Sequence, residues 1–214
     1  MNEEITIIDS KTRNEKIHNF FINNKKKLIV GFSIILFVII SYLSIKEAKE
    51  RNKIKLASKF NLITINYKKD TKQFTVNKLI EIINQNDATY SPLALYFLID
   101  NNLMENRVKI NKLFDNLINE TNLEKEIKNL IIYKKALFNS NYLTENDLIK
   151  ILNPIINSES IWKSHALYLL AEYFYSKEEG QKAKEFFNQI LILQNSNRDI
   201  KLESQKRLNR DLSE

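Results

Sequence analysis

The chain has 214 residues, with 33 Lys and Arg against 26 Asp and Glu, so its formal net charge is +7. Its two glycines, Gly31 and Gly180, stand too far apart to form a phosphate-cradling loop, and the lack of cysteine excludes disulfide scaffolds, thiolate zinc sites, thiol nucleophiles and a lipid-modified N-terminal cysteine. With only two prolines besides, the sequence lacks the punctuation of a many-stranded β fold, which leaves an all-α protein.

In chain order, residues 1–27 come first. They hold six bases and four acids, so +5 of the +7 remains for the rest of the chain. Ile17, Phe20 and Phe21 fall on one face of a short amphipathic helix. Two readings stand for it: a helix lying on the anionic inner leaflet beside Lys25, Lys26 and Lys27, or the N-terminal extension of the helix that follows.

Residues 28–45, LIVGFSIILFVIISYLSI, are uncharged and apolar but for three serines. At about 1.5 Å per residue this run covers about 27 Å, close to the hydrocarbon thickness of a bilayer. A buried core helix would carry a polar stripe, and this run has none. It is longer than the roughly 7–15 residues of a signal-peptide core, and no small-x-small cleavage site follows, so it reads as an uncleaved transmembrane anchor. Flanking charge leaves the orientation open. Arg13, Lys16 and Lys25–Lys27 precede the span, while Lys46, Lys49, Arg51, Lys53, Lys55 and Lys59 follow it. The tight lysine cluster before the span mildly favours a cytoplasmic N-terminus.

Residues 46–214 show helical periodicity throughout. Ile45, Ala48, Leu56, Phe60, Ile63 and Tyr67 carry the anchor helix onward, and Val76, Leu79, Ile80 and Ile83 mark a second, shorter helix. Ser91-Pro92 predicts a helix start, with Ser91 as N-cap and Pro92 at the first helical position. Val108–Leu117 would be its antiparallel partner. Glu124–Phe138 pairs with Leu148–Ile156, which Thr144 caps and which ends near Pro154. Ile161–Tyr175 pairs with Ala183–Leu193, and Asp199–Leu212 makes a polar last helix.

Paired short helices with brief connections predict a helical-hairpin solenoid. In the last full pair, Leu170, Ala171 and Phe174 are followed by Ala183 and Phe187, the spacing of a 34-residue tetratricopeptide (TPR) repeat. The physical basis is packing, because two helices approach closely only where one offers a small side chain. Gly180 lies in the turn, two places later than that repeat's usual glycine. The stretch from Phe97 to Phe114 is a degenerate version, with Ile110 at the small position, and Glu124–Ile156 is weaker still. A generic array of helical hairpins is the alternative.

The whole chain resembles the ancillary SecYEG translocon subunit family, the YfgM-like, TPR-like proteins of bacterial envelopes. The resemblance runs through IHNFFINNKKKLIVGF, with Phe20-Phe21 before the single anchor, then ATYSPLALYFL, Trp162, and the turn Glu179-Gly180-Gln181-Lys182-Ala183-Lys184. It departs in carrying many Ile, Asn and Lys residues where relatives tend to have Ala and Gly. The resemblance implies a single-pass protein of the bacterial inner membrane, with residues 1–27 cytoplasmic and residues 46–214 periplasmic. It further implies work beside SecYEG with a PpiD-like periplasmic chaperone, on exported client proteins. A membrane-tethered TPR scaffold or regulator of envelope assembly or stress signalling is the competing class.

Tyr168, Glu172 and Tyr175, at i, i+4 and i+7 of one helix, form a candidate partner-binding stripe; the alternative is that both tyrosines cap the core between neighbouring hairpins. Trp162 is a candidate interface anchor, or it packs on the preceding hairpin around Leu152 and Ile156. No catalytic, cofactor or metal site is read. His18 and His165 lack a partner at ligand spacing, and Glu178-Glu179 sit in a solvated turn where nothing would raise a carboxyl pKa. The mild basic excess has no Arg-rich block or interleaved aromatics, so nucleic acid is not an expected partner.

Overall fold

The computed structural model describes residues 2–212, with side chains at 13, 15–68 and 70–212, so part of the expected segment 1–27 lies outside the described side chains. Among the described residues the chain is helical, with nine α-helices, one short 3₁₀ turn at Lys69–Thr71 and no strand. It divides into two units between Lys55 and Leu56.

Helix α1 spans Asn2–Ile65. In the first unit its large apolar side chains lie open, Phe37 to 73% and Phe32 to 68%. Among the described residues this is the one helix long and apolar enough to cross a membrane, and no part of its apolar window is buried by protein. Helical hydrogen bonding satisfies its backbone internally, so along the apolar window the side chains alone meet the surroundings. The stripe read from Ile45 onward behaves differently along its length. Ile45 and Ala48 are exposed, whereas Leu56, Phe60, Ile63 and Tyr67 pack against the core of the second unit.

In that second unit the helices are α2 (Lys72–Ile83), α3 (Tyr90–Asp100), α4 (Arg107–Glu120), α5 (Lys125–Asn139), α6 (Glu145–Ile156), α7 (Lys163–Ser176), α8 (Gly180–Ile192) and α9 (Arg198–Asp211). Two apolar cores form. One joins Leu79, Ile82, Leu95, Leu98, Phe114 and Leu117 of α2–α4 with Ile131 of α5. The other gathers Leu148, Leu152, Leu167, Phe174, Phe187 and Leu208 from α6–α9.

The closest pairs are α7 with α8, α2 with α3, and then α5 with α6 and α8 with α9 alike. Helix α3 therefore packs chiefly on α2, not on the Val108–Leu117 helix expected as its partner. The cause is Ser91. Its buried hydroxyl donates to the Ile82 carbonyl at 2.9 Å, and with Ala94, also wholly buried, it gives α3 a small-residue face that lets α2 come close. The expected role of Ser91 as N-cap is corrected accordingly. Helix α3 starts two residues earlier, at Tyr90, and the Asp87 carboxylate accepts from the amides of Thr89 and Tyr90 at 2.9 and 2.7 Å. Pro92 thus lies in the first turn, where its missing amide has no intrahelical partner to lose. Helix α6 is capped by Thr144, which accepts from the Asp147 amide at 3.3 Å, and it runs through Pro154 to Ile156.

With so few glycines, left-handed turn positions fall to other residues. Asn86, Asn102 and Glu178 have φ of 52°, 50° and 62°. At Asn102 and Glu178 the geometry is a helix C-terminal cap, with the Leu103 amide donating to Leu98 O at 2.9 Å and the Glu179 amide to Phe174 O at 3.0 Å. Asparagine tolerates this region through local hydrogen bonding, but glutamate does not share that advantage. Glu178 is therefore the strained corner of the α7–α8 turn, and Gly180, two residues on, begins α8.

Two stability outcomes follow, both measured by urea unfolding of the full chain in detergent through its single tryptophan. Ala183→Phe, at a position wholly buried between packed helices, is expected to cost about 1–3 kcal/mol by overpacking. Glu178→Gly is expected to stabilise by about 0.5–1 kcal/mol by relieving the left-handed backbone. An unchanged midpoint in the first variant would show that α7 and α8 do not close at Ala183.

Candidate functional site

The stripe on α7 meets α9. Arg207 forms a two-pronged ion pair with Glu172, Nε to Oε1 at 2.9 Å and Nη2 to Oε2 at 2.8 Å. Its third nitrogen donates to Asp211 at 2.9 Å, and its guanidinium sits 5.1 Å from the Tyr175 ring centre. Tyr168 packs edge-on against Phe187 at 5.6 Å. Burial is the chief force pushing its phenol pKa up, with Glu172 adding to it. The Asp211 carboxyl is held far below the usual carboxylate range, first by Arg210 and then by Arg207. All three stripe residues are therefore engaged within the chain, Glu172 and Tyr175 by the last helix and Tyr168 by α8. Arg207, the residue that organises them, carried no signal in the sequence, being one of several bases on a polar helix.

Trp162 stacks on Tyr133 of α5, with ring centres 6.1 Å apart at 18°, and its indole lies 5.1 Å from the His165 ring. It is half-buried. The turn before it is fixed by Glu126, whose carboxylate accepts from Ser160 Oγ at 2.7 Å and from the Ile161 amide at 3.2 Å. Trp162 Nε1 and His165 Nδ1 have no hydrogen-bond partner among the described residues, and burial pushes the imidazole pKa down. The packing residues Leu170, Ala171, Phe174, Ala183 and Phe187 lie at 0–1% exposure in the second core.

A third place was invisible in the sequence pattern. Between the last turns of α1 and helix α2 lies an apolar groove of about 410 Å³, floored by Leu62, Ile63, Phe74 and Thr75 and edged by Lys59 and Lys78. Leu62 and Phe74 remain 65% and 63% exposed. Both stand off the buried stripes of their own helices, beside Ile63 and Thr75, and that displacement is the one cue a sequence holds. Lys59 and Lys78 each approach Glu81 to 2.8 Å. These two contacts, Lys59 first, lower the Glu81 carboxyl to about 2.

Among the described residues no group of three or more His, Asp or Glu side chains is arranged to hold a metal ion. Comparison with protein-family models, curated proteins and solved structures yields no match to this chain.

Two measurements check these electrostatics. Arg207→Met leaves Glu172 without its partner in a half-buried setting, and is expected to cost about 1–3 kcal/mol and to speed amide exchange across α9 selectively. Exchange rising equally in every helix would contradict a local lock. For Glu81, the folded pKa lies below that of a free carboxyl. Its links to the two lysines therefore contribute fully above about pH 4.5 and are lost as pH falls through about 2. Carbon NMR should give a Glu81 midpoint near 2, moving toward 4.5 in Lys59→Gln.

Proposed function

We propose that the chain is a non-enzymatic accessory subunit of the SecYEG translocon in the bacterial inner membrane. Residues 28–45 anchor it, the N-terminus faces the cytoplasm, and the hairpin domain faces the periplasm as a TPR-like solenoid. There it binds partner or client proteins emerging from the channel and assists a PpiD-like chaperone.

What carries this proposal is a contrast between the two units. The apolar window of α1 is 0% buried by protein, while the second unit closes Leu79, Leu95, Phe114, Phe174 and Phe187 completely or nearly so. A chain that closes an apolar core in one unit, and leaves a continuous apolar run uncovered in the other, needs a second apolar solvent for that run. Helical hairpins joined by three to six residues support a solenoid, since each hairpin buries its face only against a neighbour. Complete burial of Ala171 and Ala183 in the α7–α8 pair is consistent with the small-residue positions of a TPR repeat. The full-length resemblance, anchor included, supports the translocon as the partner.

A C-terminal alkaline phosphatase fusion tests the topology, since that reporter works only after export. Activity is expected, and a stable but inactive fusion would sink the periplasmic placement. Photocrosslinking from Phe37, within the apolar run, is expected to capture translocon subunits, and from Ile161, an exposed position on the domain, a chaperone or client. Recovery of unrelated envelope-assembly proteins alone would favour the tethered scaffold instead.

A further inference from the structure

The groove between the end of α1 and helix α2 joins two properties found together nowhere else among the described cavities. Its floor is apolar and open, with Leu62 and Phe74 more exposed than not. Its charged lining residues are lysines alone, Lys59 and Lys78, whereas the neighbouring groove beside Leu103 mixes Lys72 and Lys109 with Glu105. Glu81 sits outside the groove and holds both ammonium groups at 2.8 Å, one carboxylate for two cations. That arrangement does two things. It fixes the lysines in place, so little side-chain freedom remains to be lost on binding, and it leaves one unit of positive charge uncompensated at the rim.

We propose that this groove is a docking site for an amphipathic polypeptide segment that sets apolar side chains into the Leu62–Phe74 floor and a carboxylate against Lys59 and Lys78. A volume of about 410 Å³ lies in the range of sites that enclose a few anchoring side chains. A lipid headgroup is the poorer match, because it is polar throughout while the floor it would meet is apolar, made by Leu62, Ile63 and Phe74. The other aromatic candidate, the Tyr168–Tyr175 stripe, is covered by Arg207 of its own chain. This site is independent of the translocon proposal, since it follows from the groove's chemistry whichever compartment the domain faces.

The test uses the full chain in nanodiscs of zwitterionic lipid and two fluorescein-labelled helical peptides. Both carry Leu at i, i+3, i+4 and i+7, with Glu at the flanking positions in one and Lys in the other. Fluorescence anisotropy is expected to show the acidic peptide binding at least tenfold more tightly than the basic one, with affinity falling as salt rises. Phe74→Ser, at an exposed position that the fold does not need, should weaken it tenfold or more; Leu62→Gln should do the same. The Lys59→Gln/Lys78→Gln pair should erase the preference between peptides. Because the chain has no cysteine, a bimane on Asn66→Cys reports occupancy directly. The proposal is overturned if the peptides bind equally, if Phe74→Ser binds as the parent does, or if no acidic peptide binds. It is equally overturned if the bimane responds to anionic phosphatidylglycerol discs or to self-association without peptide.

Discussion

Apolar surface has to leave water, and that requirement organises this chain. Fully burying one large aliphatic or aromatic side chain is worth about 1.5–3 kcal/mol, so a folded domain closes over such residues wherever geometry permits. From Leu56 onward two cores take in side chains from every helix of the unit, while single residues such as Leu62 and Phe74 stay open. Along residues 28–45 nothing closes over the apolar side chains. The deficit across that run, summed over its isoleucines, leucines, valines and phenylalanines, exceeds what scattered ion pairs offset. The exposed Glu47–Arg51 pair beside it, for instance, is worth only about 0.3–0.5 kcal/mol. A helix is the one backbone state in which such a segment enters hydrocarbon without unpaired amides, and α1 is that state.

Building the second unit with almost no glycine imposes its own pattern. Helices in hairpins need close approach at a few positions and left-handed residues at their C-terminal caps. Close approach comes from Ser91, Ala94, Ala171 and Ala183, all buried; the left-handed caps come from Asn102 and Glu178, and Asn86 takes the same conformation in the turn after α2. The substitution is uneven in its cost. Asparagine carries the left-handed conformation with local compensation, while Glu178 does so at the tightest turn, where only residues 177–179 separate α7 from α8. Rim contacts help to hold that corner: Lys182 bridges Glu179 at 2.8 Å and Glu145 at 2.9 Å, bringing α6 to the start of α8.

The helices were legible in the sequence because their apolar residues recur at helical spacing and because some caps declare themselves, as Thr144 does three residues ahead of Asp147. The apolar run of residues 28–45 was legible by length and composition alone. What escaped depends on contacts distant in sequence. Ser91 looked like a cap because a hydroxyl before proline satisfies the local rule, yet its hydroxyl is spent on Ile82, nine residues back. Local propensity and tertiary hydrogen bonding competed there, and the tertiary bond won because a buried hydroxyl without a partner costs more than a weaker cap. Arg207 escaped for a related reason. Spacing placed Tyr168, Glu172 and Tyr175 on one face, but nothing in that spacing said a guanidinium thirty-five residues away would occupy it.

The same logic separates the two aromatic surfaces chemically. On α7 the anionic member of the stripe, Glu172, is neutralised by Arg207 with two hydrogen bonds, so an incoming partner would have to displace a two-pronged ion pair before touching either tyrosine. At the α1–α2 groove the ion pairs lie behind the binding face. Lys59 and Lys78 keep Glu81 while still lining the cavity, so nothing has to be broken for Leu62 and Phe74 to be covered. Binding free energy is what remains after such reorganisation costs. Of the two surfaces, the one whose charges are already satisfied from behind is therefore the one left free to recognise a partner.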